Sequence, residues 1–247
     1  MNVLSDINFT TTKIRTLRGN NIIGNASGFF FQTTSCKYLI TNRHVVVDED
    51  NGYFPEEIVL ILHANRKNLK IHNSIRLNLY DSGNPIWLQH SKYDEHACDI
   101  VAIPLTSSTL SQGALIAFNS SSLTFFNVTN LDIPQTNSFG DVVVVGYPMG
   151  FYDEINNLPV YRKAMIATAY PFNFMDRPYF LIDANLHEGT SGSPVVNSHH
   201  TLFREGDKKE GYVLFGVHSA EHVVDEEPLG LNVVWHSSLI MEMINDT

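Results

Sequence analysis

Cysteine is scarce: Cys36 and Cys98 are the only two in 247 residues. That is too few for a disulfide framework, so two reduced, buried thiols are expected. Charge is thin at 17% of residues, and positive charge thinner, with 16 Lys and Arg against 26 Asp and Glu for a net charge of −10. A basic face that grips a phosphate backbone is therefore excluded, and no nucleic-acid partner is expected. The acids gather in Asp48-Glu49-Asp50, Glu56-Glu57 and Asp225-Glu226-Glu227, which read as solvated loops. No apolar run reaches membrane-spanning length, so neither a transmembrane helix nor a membrane partner is expected. Residues 1 to 20 lack a basic leader and an apolar signal core, which predicts a cytoplasmic protein. The sequons at Asn25, Asn119 and Asn127 carry no meaning without a secretory route. No internal repeat is visible, and the sequence leaves the oligomeric state open.

The apolar share is 43%, enough for a real core. It is parcelled into short runs: Ser27 to Phe31, Tyr38 to Thr41 across the turn Thr33-Thr34-Ser35, Ile58 to Leu62, Leu69 to Tyr80, Ile100 to Leu105, Val142 to Val145, Ala164 to Ala169, Tyr179 to Ala184, Tyr212 to His218 and Leu229 to Val234. Many short strands with turn signals and scarcely any helix predict an all-β sandwich or pair of barrels. The exception is Ser237 to Ile244, an amphipathic terminal helix with Ser237 or Ser238 as cap. The Ser/Thr/Asn-rich composition of residues 106 to 130 marks the connection between halves. One domain over 1–247 is expected, with an N-terminal half to about 118, a linker at about 119–130 and a second half with the helix over 131–247.

Three places carry chemistry. Glu188-Gly189-Thr190-Ser191-Gly192-Ser193-Pro194 sets Ser191 between glycines, so a tight loop can present one hydroxyl together with several N–H groups. A Ser/Gly turn between strands reads the same way. His44 closes a β-rich run in Thr41-Asn42-Arg43-His44-Val45-Val46 and is open to reading as a satisfied core residue. Asp99, at the mouth of the apolar run Ile100 to Leu105, is either a strand-start cap or a buried orienting carboxylate.

Together these segments resemble a chymotrypsin-fold (trypsin-like) serine peptidase, in that family's His, Asp, Ser order. Gly140-Asp141 through Gly146-Tyr147-Pro148-Met149-Gly150, and Asp183-Ala184-Asn185, are similar to the HtrA-type branch; the resemblance covers most of residues 25 to 245. It implies two antiparallel β-barrels with the active site between them. It also implies that Ser191 is the nucleophile, His44 the general base and Asp99 its orienting carboxylate, with the N–H groups of Gly189 and Ser191 as the oxyanion hole. Ser193 stands where the family often has glycine, so a structural hydroxyl is expected. Thr190 replaces the aspartate that pairs with a freed N-terminus in trypsin-type zymogens, and no Ile-Val-Gly-Gly-like start is present. Activation by that ion pair is not expected, and control would come from loop order. No PDZ domain is expected after residue 245.

Gly216-Val217-His218 resembles glutamyl endopeptidases and viral chymotrypsin-like cysteine proteases, in which that histidine helps bind a Glu or Gln side chain. The implied substrate pocket comprises Asn185, Leu186, Glu188, His218, Ser219 and Asn232. Glu188 and Glu221 at its rim would repel Glu more than Gln, and a small apolar residue would fit if His218 is buried and inert. His187, His218, His222 and His236 lack any metal-site spacing, so no metal and no cofactor are expected. The expected function is an intracellular serine endopeptidase acting on protein or peptide substrates. The alternatives are a catalytically idle trypsin-like fold serving as a binding or sensor module, and an esterase.

Overall fold

The computed structural model describes residues 5–91, 93–131, 140–197, 201–204, 207–225 and 227–245. After a helical turn α1 (Ile7–Thr10), the N-terminal half runs through β1 (Thr11–Arg18), β2 (Asn21–Gln32), β3 (Lys37–Thr41), α2 (Arg43–Val46), β4 (Glu57–His63), β5 (His72–Asn78), β6 (Tyr80–Asp81), β7 (Asn84–Pro85), β8 (Leu88–Gln89), α3 (Tyr93–His96) and β9 (Val101–Pro104). Helix α4 (Gln112–Asn119) follows. The C-terminal half holds β10 (Asp141–Gly146), β11 (Val160–Ile166), β12 (Tyr179–Asp183), β13 (Pro194–Asn197), β14 (Thr201–Arg204), β15 (Asp207–Glu210), β16 (Leu214–Val224), β17 (Glu227–His236) and helix α5 (Ser238–Asn245).

The C-terminal half is a closed six-stranded barrel in the order β10-β11-β12-β17-β16-β13. The N-terminal half is a seven-stranded sheet in the order β5-β4-β1-β2-β3-β9-β8, with all pairings antiparallel. One apolar cluster joins Ile75 and Leu77 of β5 to Val101 and Ile103 of β9, so the sheet curves around its own core, but its order ends at β5 and β8 and does not close into the expected second barrel.

The consecutive Phe29, Phe30 and Phe31 explain how the halves are joined. Alternate residues of a strand face opposite ways, so an unbroken apolar run implies burial on both faces. Phe30 points into the N-terminal core with Leu39 and Leu60. Phe29 and Phe31 point the other way, into a layer shared with Val145, Leu181, Trp235 and the Ile240 and Met243 side chains of α5. Val142 and Val144 face the barrel interior with Ile166, Phe180 and Val195, while Val145 faces the shared layer. Each such phenylalanine contributes about 1.5–3 kcal/mol by burial, and the shared layer fixes the cleft in which the loops of both halves meet.

The connection is more ordered than its composition suggests. Ser111 caps α4 by accepting from the Ala114 N–H, Phe118 packs in the N-terminal core, and Phe126 is buried in the shared layer. The expected start of the second half at about 131 opens onto residues 132–139, outside the described residues. Between β13 and β16 lies the separate antiparallel pair β14–β15.

Candidate active site

His44, Asp99 and Ser191 come from three separate connections that end at one cleft. His44 lies in the single turn of α2, directly after β3; Asp99 precedes β9; Ser191 lies in the loop between β12 and β13. Because β3 pairs with β9, with Thr41 opposite Val101, the residues just beyond that pair meet. The His44 Nδ1 and Asp99 Oδ2 are 2.6 Å apart, and the His44 backbone N–H donates to Asp99 Oδ1 at 2.9 Å. A carboxylate facing Nδ1 accepts its hydrogen, which leaves Nε2 as the free basic nitrogen. The Ser219 hydroxyl also donates to Asp99 Oδ2 at 2.6 Å, and the Asn42 side chain donates to the Asp99 backbone carbonyl at 2.6 Å. Three side chains and one backbone N–H therefore hold this carboxylate and its residue in place.

Burial of His44 disfavours the imidazolium, but attraction and hydrogen bonding from Asp99, with a smaller contribution from Asp48, outweigh it and raise its pKa above the ordinary imidazole value. Ser191 shares a cavity of about 390 Å³ with His44, Asp48, Glu188 and Gly189. Its hydroxyl donates to the Ser219 carbonyl at 3.0 Å rather than to the imidazole. Ser193, by contrast, is fully buried and its Oγ has no partner among the described residues.

The serine loop depends on its glycines at two positions. Gly189 has φ +85 and Gly192 φ +83, and a Cβ on Gly192 would run into the Ser27 carbonyl and the Thr41 hydroxyl. Ser27 is the hub beneath: its hydroxyl donates to the Gly189 carbonyl at 2.8 Å and accepts from the Tyr147 N–H at 2.9 Å, while its N–H donates to the Ser191 carbonyl at 2.9 Å. The N–H groups of Gly189 and Ser191 donate to nothing among the described residues. The Thr190 hydroxyl donates to the His187 carbonyl of its own loop at 2.6 Å.

A second cavity, about 210 Å³, lies on the other side of Ser191 and is lined by Leu186, His187, Glu188, Ser191, His218, Ser219, Ala220, Glu221 and Asn232. It gathers five of the six residues expected there. Asn185 is the exception: the chain places Leu186 on the cavity wall and leaves the Asn185 side chain exposed, while its carbonyl accepts from Arg162. His218 is buried; its Nδ1 donates to the Thr190 carbonyl at 3.0 Å, and its Nε2 faces Asn232 Oδ1 at 3.3 Å. Asn232 Nδ2 donates to the Ala184 carbonyl at 2.6 Å, which fixes that orientation. Burial lowers the His218 pKa below the ordinary value, despite opposing hydrogen bonds to Thr190 and Asn232.

Among the described residues no three His, Cys, Asp or Glu side chains are grouped so as to hold a metal ion. His222 packs edge-on to Phe174, and His236 lies against Tyr170 and Phe180. Among the described residues no helix is long and apolar enough to cross a membrane. Ser27 was not anticipated as a site residue; its only signal is a buried-strand position occupied by a hydroxyl beside Gly28.

A family model described as a trypsin-like peptidase domain matches residues 26–203. Comparison with curated proteins gives no match. Among solved structures, a serine endoprotease from Yersinia pestis superposes with a TM-score of 0.57 at 16% identity, covering 97% of this chain and 62% of that one. The HtrA-type protease AlgW, solved with a tripeptide, gives 0.56 at 14% identity, with 97% and 60% coverage. A thermostable serine protease, AL20, from an extremophilic microorganism gives 0.56 at 11% identity and covers 98% of both chains. This chain thus spans about three-fifths of the first two and nearly all of the third.

Proposed function

Because the chain belongs to the trypsin-like peptidase family and is a serine endopeptidase by that membership, we propose that it cuts peptide bonds through Ser191, His44 and Asp99 by way of an acyl-enzyme. The observation that carries this reading is the imidazole held by Asp99 at 2.6 Å on the wall of the cavity that also exposes Ser191. Ser191 Oγ attacks the substrate carbonyl carbon while its proton passes to His44 Nε2. The resulting oxyanion accepts hydrogen bonds from the N–H groups of Gly189 and Ser191. As the tetrahedral centre collapses, His44 returns the proton to the leaving amine, and water then repeats the sequence on the ester. The Ser191–Ser219 hydrogen bond must open first, by a side-chain rotation that is fast compared with turnover. That same bond favours the second reading, an idle fold that binds without cutting.

The base works only when neutral. Asp99 raises the His44 pKa, so activity is expected to climb with pH through a midpoint above the ordinary imidazole value near 6.5. A kcat/KM profile against pH checks this, and an acid limb at or below that value contradicts it.

The 210 Å³ cavity suits Gln, then Glu, before the scissile bond. Neutral His218 spends its one hydrogen on Thr190, so Nε2 presents a lone pair to a carbonyl oxygen. An incoming carboxamide N–H, or a protonated carboxyl, can satisfy that lone pair. A carboxylate cannot, and Glu188 and Glu221 on the wall repel it. Digestion of a proteome-derived peptide library tests both the activity and its selectivity. Gln is expected ahead of Glu at neutral pH, with Glu gaining as pH falls; preference for Arg, Lys or large aromatics would refute the pocket assignment, and no cleavage would favour the idle fold. The free Cys36 and Cys98 suit action in the reducing cytoplasm.

A further inference from the structure

Lys13 sits on β1, in the half of the molecule opposite the serine loop, yet it is only 5% exposed. No carboxylate lies within ion-pair distance of it among the described residues. Its ammonium instead donates to the Gly150 carbonyl at 2.7 Å and lies 4.4 Å from the centre of the Tyr152 ring. Glu154 attracts this ammonium only from beyond ion-pair distance, so holding it out of water is costly, and an apolar side chain would fill the space more favourably.

What Lys13 grips is the turn Pro148-Met149-Gly150. Met149 and Gly150 are both left-handed, with φ of 51° and 70°, a conformation that a residue bearing a side chain adopts only under constraint. In that conformation the Met149 N–H donates to the Glu188 carbonyl at 2.5 Å. The C=O and N–H of one trans peptide point opposite ways. Holding the Glu188 carbonyl against Met149 therefore turns the Gly189 N–H away from the turn, toward the cavity that Gly189 shares with His44 and Ser191. The next peptide is held separately, by Ser27 on the Gly189 carbonyl.

Resting on the peptidase reading above, we infer that Lys13 is a positioning residue: by clamping Gly150 it holds the turn that aims the Gly189 N–H at the developing oxyanion. Since Thr190 bonds within its own loop, this clamp reaches the serine loop from the N-terminal sheet without any charge on Thr190.

The test is Lys13→Met in the full chain. Its kcat is expected to fall about 10- to 100-fold, less than the roughly 10²- to 10³-fold cost of deleting an oxyanion donor outright, with KM within about threefold of wild type. The affinity of a peptide aldehyde, which forms a tetrahedral adduct on Ser191, should weaken by the same factor, while that of the cleaved peptide product stays unchanged. In Lys13→Ala, added propylammonium should restore part of the lost kcat and propanol should not. A folded Lys13→Met with wild-type kcat, or an equal loss of aldehyde and product binding, overturns the inference, as does failure of both variants to fold. If wild type itself neither cleaves peptides nor reacts with a fluorophosphonate, it is the underlying peptidase reading that fails; an active wild type matched by Lys13→Met defeats the clamp alone.

Discussion

Replacing Ser191 with alanine is expected to lower peptide hydrolysis by about 10⁴-fold or more while the fold persists. The size of the effect follows from the lack of a substitute nucleophile. Ser193, two residues on, is fully buried and lines neither cavity, so it cannot reach a bound carbonyl. The structural cost is small, because the Ser191 hydroxyl makes one hydrogen bond, to the Ser219 carbonyl at the cleft wall. Turnover of the best library peptide, measured beside the thermal midpoint, separates loss of chemistry from loss of fold. Ser193→Ala should keep activity within a few-fold. The reverse pattern would move the nucleophile.

Asp99→Asn is expected to cost about 10⁴-fold in kcat, through the tautomer rather than the position of the ring. Asp99 accepts three hydrogen bonds, from the His44 N–H, His44 Nδ1 and the Ser219 hydroxyl. Asparagine can still accept from the His44 backbone N–H with its oxygen, but its NH₂ then faces Nδ1. The imidazole responds by carrying its proton on Nε2, where the base is needed. Removing the carboxylate also removes what raises the His44 pKa, so the residual activity should show its acid limb at lower pH than wild type. A pH profile of kcat/KM for both proteins reads the two effects at once; a variant within tenfold of wild type and with an unmoved limb would show that Asp99 does not orient the base.

Much of this architecture was legible in the chain because its signals are local. Turn residues and apolar runs delimited most of the longer strands but not the short β6, β7, β8, β14 and β15, and Gly189, Ser191 and Gly192 announced a loop with special backbone needs. The Phe29-Phe30-Phe31 run was legible as a strand, while its burial on both faces emerged only with the shared layer. What local pattern could not supply were contacts made across the cleft. Lys13 carries no local signal of its role until β1 pairs with β2 and brings it to Gly150. Ser27 looks like the start of a strand until the serine loop folds onto it. Asn185 was among the pocket residues that the resemblance implied, yet its side chain is exposed and lines neither cavity. The Ser/Thr/Asn-rich connection hides α4 because its helix-forming residues, Ala114, Leu115 and Ala117, are few and flanked by polar ones.

The most direct measurement is reaction of the intact protein with a fluorophosphonate, with the modified residue located by peptide mass mapping. Such a probe reports an activated hydroxyl beside anion-stabilising donors and needs no knowledge of the substrate. One adduct is expected, on Ser191, formed at a rate that falls steeply in His44→Ala. No adduct, an adduct on Ser193, or unchanged labelling without the imidazole would contradict the account.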